Sequence, residues 1–175
     1  MGCDIHCFAE MRDIETNQWE KVGDAFTLDD YDKKRLGKDK GNRPFDWRSY
    51  SMFAFLADVR NYDHCEPLSQ PKGIPDNVCK EIGEEYEEWG CDAHSASYFT
   101  AKELLDFNYD KTFWNRRITK QTAPNVYNGA SLAEEGEGIN LTYRENLGEM
   151  FFIHLEELKS LGEPEDVRIV FWFDN

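Results

Sequence analysis

The chain has 175 residues, of which 40% are hydrophobic and 14% aromatic, so it is long enough to bury a sizeable core within one domain. Its formal net charge of −15 at pH 7 disfavours binding to nucleic acid and to anionic membranes. No apolar run approaches the roughly 20 residues of a membrane span, no signal peptide is recognisable, and the odd number of cysteines, five, predicts reduced thiols in a cytoplasm.

The N-terminal segment "MGCDIHCFAEMR" alternates with the period of a β-strand. The polar residues Asp4, His6 and Glu10 occupy even positions, and small or apolar residues occupy the odd positions. Residues 14–18 resemble a turn and residues 19–26 a partner strand, which predicts an N-terminal hairpin. Because side chains two apart in a strand share a face, the three polar side chains are predicted to point the same way.

Helical spacing of apolar residues predicts a buried helix over 48–60 and a second helix over 75–89. The sequence "TAKE" at 100–103 is a capping box and predicts the start of a short helix. A further helix is predicted over 149–162. His154 lies one turn from apolar positions of that helix, and we expect it to be a hydrogen-bonded residue at the edge of the core.

The C-terminal segment "VRIVFWFDN" is apolar on both faces at its centre, as in a central strand. Residues 140–145 also resemble a strand, and residues 27–47 and 125–140 are predicted to be exposed loops. We therefore expect one α+β domain over 1–175. Its sheet is antiparallel or mixed, with an N-terminal hairpin and a central C-terminal strand, and its helices pack mainly on one face.

The motif Asp-x-His occurs twice, as Asp4–His6 in the first strand and as Asp92–His94 in a loop or short strand before a helix. These four side chains supply the nitrogen and oxygen ligands that suit Zn, Mn or Fe. Such a metal activates water and polarises a phosphoryl group. With Glu10 as a further ligand or general base, they predict a divalent metal site. The alternative is that the strand face is solvated, that Asp92 caps a turn and that His94 packs.

A basic island, "KKRLGKDKGNR" at 33–43, holds six basic residues and one acid within an otherwise acidic chain. Arginine side chains match phosphate oxygens, and aromatic side chains can stack a base. The candidates are Arg48, Arg60, Arg116 and Arg117 for phosphate, and Trp47, Tyr50 and Trp114 for stacking. The alternative for the island is an ordinary solvated loop.

Several blocks of sequence occur together: "MGCDIH" at the start, "RSYSMFAFLADVRN" at 48–61, "GIPDNV" at 73–78, "WGCDAHSAS" at 89–97 and "VFWFDN" at 170–175. In this combination the chain resembles a family of small proteins encoded in bacteriophages and prophage regions. The resemblance implies a phage accessory protein in the cytoplasm of an infected bacterium, and it implies no particular reaction. The polar signature of the family falls on Asp4, His6, Glu10, Arg48, Tyr50, Arg60, Asn61, Asp92, His94, Ser95 and Ser97.

The first functional hypothesis is a metal-dependent phosphodiesterase or hydrolase that degrades a cyclic-nucleotide immune signal of the bacterium. Metal would be held by Asp4, His6, Asp92 and His94. Catalysis would involve Glu10, His94 and Arg60, with Arg60 stabilising charge on the transferring phosphoryl group. Ligand binding would involve Arg48, Tyr50, Arg60, Asn61, Ser95 and Ser97.

Two alternatives belong to other functional classes. In the first, the protein is a non-catalytic sponge that binds a cyclic nucleotide as a homo-oligomer. In the second, its acidic surface mimics DNA or inhibits a host enzyme. In the hydrolase and sponge hypotheses the partner is a small nucleotide, and neither a membrane nor nucleic acid is expected to bind directly.

Overall fold

The computed structural model describes the backbone of residues 2–123, 126–132 and 138–175, and the side chains of residues 2–117 and 138–175. The strands are β1 (Asp4–Arg12), β2 (Trp19–Lys21), β3 (Phe26–Thr27), β4 (Lys40–Gly41), β5 (His94–Thr100), β6 (Thr112–Asn115), β7 (Arg117–Ala123), β8 (Val126–Leu132), β9 (Ile139–Thr142) and β10 (Val167–Asp174). The α-helices are α1 (Asp30–Leu36), α2 (Tyr50–Ala57), α3 (Lys80–Trp89), α4 (Ala101–Asp106), α5 (Tyr143–Leu147) and α6 (Glu149–Lys159).

The chain divides into two compact units. The first comprises Met1–Arg48, Pro71–Phe107 and Glu149–Asn175. It contains a four-stranded antiparallel sheet in the order β2-β1-β10-β5. The C-terminal strand β10 lies between β1 and β5, and all of its residues from Val167 to Phe173 are buried. The predicted α+β class, the antiparallel sheet, the N-terminal hairpin and the central C-terminal strand are therefore confirmed.

The face of the sheet that carries the even-numbered residues of β1 is covered by α3. His6 lies opposite Trp172 in the pairing of β1 with β10, and Phe8 and Trp172 share a buried cluster with Ile82 of α3. Glu10 on the same face is completely buried. Most of this polar strand face is thus enclosed by protein.

The other face of the sheet carries the odd-numbered residues of β1, including the buried Ile5 and Cys7. Helix α6 contacts β10 and β3 and packs against α4. Its side chains Phe151, Leu155 and Leu158 are buried. The continuous apolar character of β10 therefore reflects burial on both faces of the sheet.

Most of the predicted helices are present with shifted ends. Ser49 accepts a hydrogen bond from the backbone of Met52 at the start of α2, and both bonds of the Thr100 capping box are formed at α4. Helix α3 begins at Lys80 rather than near Pro75. Its predicted end at Gly90 is confirmed.

The segment 27–47 differs from the predicted loop, because β3, α1 and β4 lie in it. Asp29 caps α1 by accepting a hydrogen bond from the backbone of Asp32, and Gly37 ends the helix with φ +66. No residue of α1 is buried, so the expected exposure holds for the helix. In the segment 125–140, β8 occupies 126–132, and residues 125 and 133–137 lie outside the described residues.

The second unit comprises Ser49–Gln70 and Asn108–Gly148. It contains α2, α5, the antiparallel pair β6–β9 and the antiparallel pair β7–β8. Tyr143 is buried, and its hydroxyl bonds the backbone N–H and carbonyl of Glu66, both at 3.0 Å. The prediction of one domain over 1–175 stays a prediction.

Candidate functional site

His6 lies where β1 begins and β10 ends, in a cluster with Asp4, Arg48 and Asp174. The Nε2 atom of His6 is 2.9 Å from Oδ2 of Asp174, and the backbone N–H of Asp4 donates to Oδ1 of Asp174 at 3.2 Å. Arg48 donates to both carboxylate oxygens of Asp4, at 2.8 and 2.7 Å. We call these four residues the His6 cluster.

Charge and aromatic contacts fix the His6 cluster. The hydrogen bonds from Arg48 lower the pKa of Asp4, while partial burial opposes that shift. The His6 ring lies 4.2 Å from the Trp89 ring, centroid to centroid. The His6 side chain is only 12% exposed. Because a carboxylate only accepts hydrogen bonds, the Nε2 atom of His6 carries the proton that faces Asp174.

His94 does not join the His6 cluster. In the sheet register His94 lies opposite Phe173, whereas His6 lies opposite Trp172. Consecutive residues of β10 point to opposite faces of the sheet, so the two histidines lie on opposite faces with β10 between them. The His94 ring stacks on Phe173 with centroids 6.0 Å apart.

The four predicted metal ligands are therefore not brought together. Asp4 is bound by Arg48 and His6 by Asp174, and Asp92 lines a shallow acidic groove on the surface of the first unit. Within the described ranges, no group of three or more His, Cys, Asp or Glu side chains has the arrangement of a metal site. This geometry does not fit a metal shared by Asp4, His6, Asp92 and His94.

Glu10, predicted to be a metal ligand or general base, is tied into the core. Its Oε2 accepts a hydrogen bond from Nε of Arg168 at 2.6 Å, and its Oε1 accepts one from the backbone N–H of Cys79 at 2.6 Å. Cys79 is the N-cap of α3, so the carboxylate caps that helix from a neighbouring strand. These contacts give Glu10 a structural role that differs from the predicted one.

Two predicted ligand-binding serines lie in β5 beside His94. The hydroxyl of Ser95 is 3.1 Å from Nδ1 of His94. Ser97 is completely buried and accepts a hydrogen bond from the backbone N–H of Lys72 at 3.2 Å. These contacts use both hydroxyls within the protein.

Three further predicted residues, Tyr50, Arg60 and Asn61, belong to the second unit. Asn61 clamps its own loop by donating to Asp58 and to the carbonyl of Cys65, at 2.7 and 2.8 Å. Arg60 has φ +50. The Tyr50 ring meets Tyr62, and the candidate phosphate ligand Arg117 lies 5.9 Å from each of these rings. Ligand-binding roles for these residues stay predictions.

A cavity of about 490 Å³ lies in the first unit and is lined largely by the segment around the basic island. This volume falls within the range of about 300–1,000 Å³ that is usual for small-molecule sites. Its wall combines cationic, apolar and aromatic side chains. The principal ones are Arg35, Lys38, Arg43, Leu28, Leu36, Met150 and Trp47.

The cavity wall is held by His154, which the sequence placed at the edge of the core. His154 Nδ1 accepts from the backbone N–H of Phe45 at 2.9 Å, and its Nε2 donates to the carbonyl of Thr27 at 2.8 Å. Burial lowers the pKa of His154. Its ring meets the edge of Trp47 with centroids 5.1 Å apart. The expectation of a hydrogen-bonded histidine is confirmed, and its contacts fix the aromatic wall of the cavity.

Asp46 connects the cavity with the His6 cluster. It lines the cavity and lies within electrostatic range of His6 and Asp4. Although Asp46 is an exposed residue, nearby atoms partly desolvate its carboxyl and raise its pKa to about 6, while the charges of Arg43 and His6 oppose the rise. Asp46 thus lies on the cavity wall and within electrostatic range of the His6 cluster.

The sequence pattern indicated Trp47 and the basic island, which includes Asn42, but it did not indicate Asp46 or Asp174. Asp174 sits within the quoted C-terminal block "VFWFDN", and its pairing with Asp4 follows from an antiparallel register between the two terminal strands. Asp46 directly follows the apolar Phe45 in a largely polar segment. The segment has neither helical nor strand periodicity, so the sequence does not predict that its side chains line one cavity.

No family model, curated protein or solved structure matches the chain. In the described part of the chain, none of the helices has the length and apolarity that a membrane crossing requires. Ligand binding is therefore argued from the site itself.

Proposed function

We propose that the protein binds a small phosphate-bearing nucleotide in the cavity of its first unit. The observation that carries this proposal is the placement of Trp47 and the three cationic residues Arg35, Lys38 and Arg43 around one cavity. An aromatic ring can stack on any nucleobase, because every base has a π-face. Guanidinium and ammonium groups bind phosphate oxygens.

The cations are partly engaged within the protein. Arg35 donates to Asp32 at 2.9 and 2.7 Å, Lys38 pairs with Asp24 at 2.7 Å, and Arg43 Nη2 donates to Glu85 at 2.9 Å. The Arg35 and Lys38 pairs are largely exposed, and exposed ion pairs contribute about 1 kcal/mol or less. The Arg43–Glu85 pair is half-buried. A phosphate can therefore compete for these groups, and the arginines retain further N–H donors for it.

The resemblance to phage-encoded proteins supports a biological role for such binding. In this proposal the protein sequesters a nucleotide signal of the infected bacterium, with cyclic nucleotides as the candidate class and the host cytoplasm as the place of action. A homo-oligomeric state belongs to the same proposal, and light scattering of the purified protein tests it.

Hydrolysis of the bound nucleotide is the second candidate, and the His6 cluster favours it. His6 is oriented by Asp174 through its Nε2, which leaves Nδ1 to accept a proton from water. Asp46, on the cavity wall, lies within electrostatic range of His6, which supports this candidate. A divalent metal remains part of the hydrolase hypothesis, although its four predicted ligands do not converge.

Calorimetric titration with mononucleotides and cyclic nucleotides tests the binding proposal. Trp47→Ala is expected to weaken binding by about 1–3 kcal/mol, the usual contribution of base stacking. Trp114→Ala is the matched control, because Trp114 is 53% exposed and does not line the cavity. Equal affinities for the wild type and Trp47→Ala, or no binding of any nucleotide, would contradict the proposal.

Chromatography of the nucleotide after incubation separates the two candidates. A nucleotide that returns intact from the denatured complex, with and without added Zn²⁺ or Mn²⁺, supports sequestration. Turnover that disappears in His6→Gln supports hydrolysis instead.

A further inference from the structure

We propose that the cavity is selective for guanine nucleotides, with Asp46 accepting hydrogen bonds from the base edge and Trp47 stacking on its face. This inference rests on the proposed function and names its ligand class. Two observations support it. Asp46 is the carboxylate of the cavity wall that is available to a ligand, and the backbone at Phe45 holds Asp46 and Trp47 in place.

The other carboxylates of the wall are occupied. Asp29 accepts from the backbone N–H of Asp32 at 2.7 Å, and Asp32 accepts two bonds from Arg35. Asp46 and Asn42, by contrast, form no hydrogen bond or ion pair with another residue among those whose side chains the structure describes. Asp46 is therefore the carboxylate of the wall that is available to a ligand.

The backbone before Asp46 is held in an unusual conformation. Phe45 has φ +54, which is uncommon for a bulky residue and persists only where its surroundings impose it. The bond from the Phe45 N–H to buried His154 and the packing of Phe45 on Phe151, with ring centroids 4.8 Å apart, hold this turn. Asp46 and Trp47 directly follow Phe45, which is held in place by these contacts. The two side chains are therefore preorganised, as selective recognition requires.

Hydrogen-bond chemistry selects guanine for such a carboxylate. An ionised carboxylate only accepts hydrogen bonds, and it can accept two in parallel. The Watson–Crick edge of guanine presents two adjacent donors, N1–H and the N2 amino group. Adenine and cytosine each present a donor next to a ring-nitrogen acceptor, which leaves one carboxylate oxygen facing another acceptor. Guanine is therefore the base that satisfies both oxygens.

The charge state of Asp46 adds a pH dependence to this selectivity. The groups that act on its carboxyl are Arg43 and His6, which favour ionisation, and Asp32 and Asp4, which disfavour it. With a pKa of about 6, Asp46 is mainly ionised at pH 7.5 and mainly protonated at pH 5. Affinity for guanine nucleotides is expected to fall as the pH drops through about 6.

The test compares GMP, IMP and AMP by calorimetry at pH 7.5. IMP lacks only the 2-amino group, so it removes one of the two proposed donors without any change to the protein. We expect GMP to bind about tenfold or more tightly than IMP or AMP. Asp46→Asn is expected to abolish this preference by placing a donor against the base, and Asp39→Asn, a neighbouring carboxylate outside the cavity wall, is expected to retain it.

Each outcome decides a different claim. If none of the three nucleotides binds, the proposed function fails and the selectivity fails with it. If all three bind equally to the wild type, or if Asp46→Asn keeps the preference for GMP, the selectivity is overturned while nucleotide binding stands. If circular dichroism shows that Asp46→Asn does not fold, the wild type decides the inference. A preference for GMP over IMP and AMP at pH 7.5 that is lost at pH 5 supports the selectivity, and a preference that is the same at both pH values overturns it.

Discussion

Replacing Arg168 by methionine is expected to destabilise the first unit by about 3–5 kcal/mol, the usual cost of removing one partner from a buried ion pair. The side chains of Arg168 and Glu10 are 5% and 0% exposed. Beyond Glu10, Arg168 donates to the side-chain and backbone oxygens of Asn77 at 2.9 and 3.1 Å. Methionine removes all of these donors and leaves the Glu10 carboxylate buried with the Cys79 N–H.

The size of this effect can be read in thermal unfolding. For a chain of this length, 1 kcal/mol shifts the midpoint by roughly 2–4 °C, so a decrease of about 6–20 °C is expected. The double variant Glu10→Leu with Arg168→Met is expected to lose much less than the sum of the single variants, since it leaves no unpaired charge in the core. The difference between the loss of stability in the double variant and the sum of the two single losses, measured by urea denaturation, is the coupling free energy of the pair.

An exposed ion pair of the same unit supplies the control. Lys102 and Asp106 are 50% and 63% exposed and lie at i and i+4 on α4, so Asp106→Asn is expected to cost less than about 1 kcal/mol. A loss below about 1 kcal/mol for Arg168→Met, or strictly additive losses for Glu10 and Arg168, would refute the structural role of the pair. A stable Glu10→Gln variant that has lost only nucleotide turnover would instead restore the catalytic role predicted from the sequence.

Three further changes test local features of the fold. Burial holds the pKa of His154 below its unfolded value of about 6.5. The free energy of unfolding, measured by urea denaturation, should therefore fall as the pH drops below about 6.5. The variant His154→Gln should show a weaker pH dependence in that range. Gly138→Ala should cost about 1–3 kcal/mol in thermal unfolding, because Gly138 has φ +126 and an added Cβ overlaps the carbonyl of Asn115; Gly23→Ala, with open space around it, should be near neutral. Thr100→Ala should cost about 1 kcal/mol by breaking the capping box of α4, and unchanged stability would contradict that role.

The fold was predictable where a period or a local motif defines an element. The alternation of β1, the apolar run of β10 and the Thr100 capping box each depend on residues a few positions apart, and each appears in the structure. Helix α1 carried comparable signals in Asp29 and Gly37. Its high charge and lack of any buried residue removed the apolar stripe by which a helix is usually recognised.

The candidate site was only partly predictable, because its contacts join distant segments. The start of α3 depends on Glu10, which lies 69 residues from Cys79 in the chain. Asp174 reaches His6 across 168 residues. The sequence supplies the chemical types for both contacts, but only the register of β1 with β10 decides which polar groups meet. Glu10 therefore looked like a general base, although its oxygens cap a helix and pair with Arg168.

The separation of the two histidines rests on a single extra residue in β5. Ser97 lies opposite Phe171 in β10, so an uninterrupted register would place His94 opposite Asp174, on the same face as His6. The pairing instead slips between Phe171 and Phe173, with Ser95 at φ +52, which is the mark of a β-bulge in β5. That one residue turns His94 toward Phe173 on the opposite face. Two Asp-x-His motifs that look equivalent in the sequence thus have different surroundings, because a one-residue change of register reverses the side of the sheet on which a side chain lies.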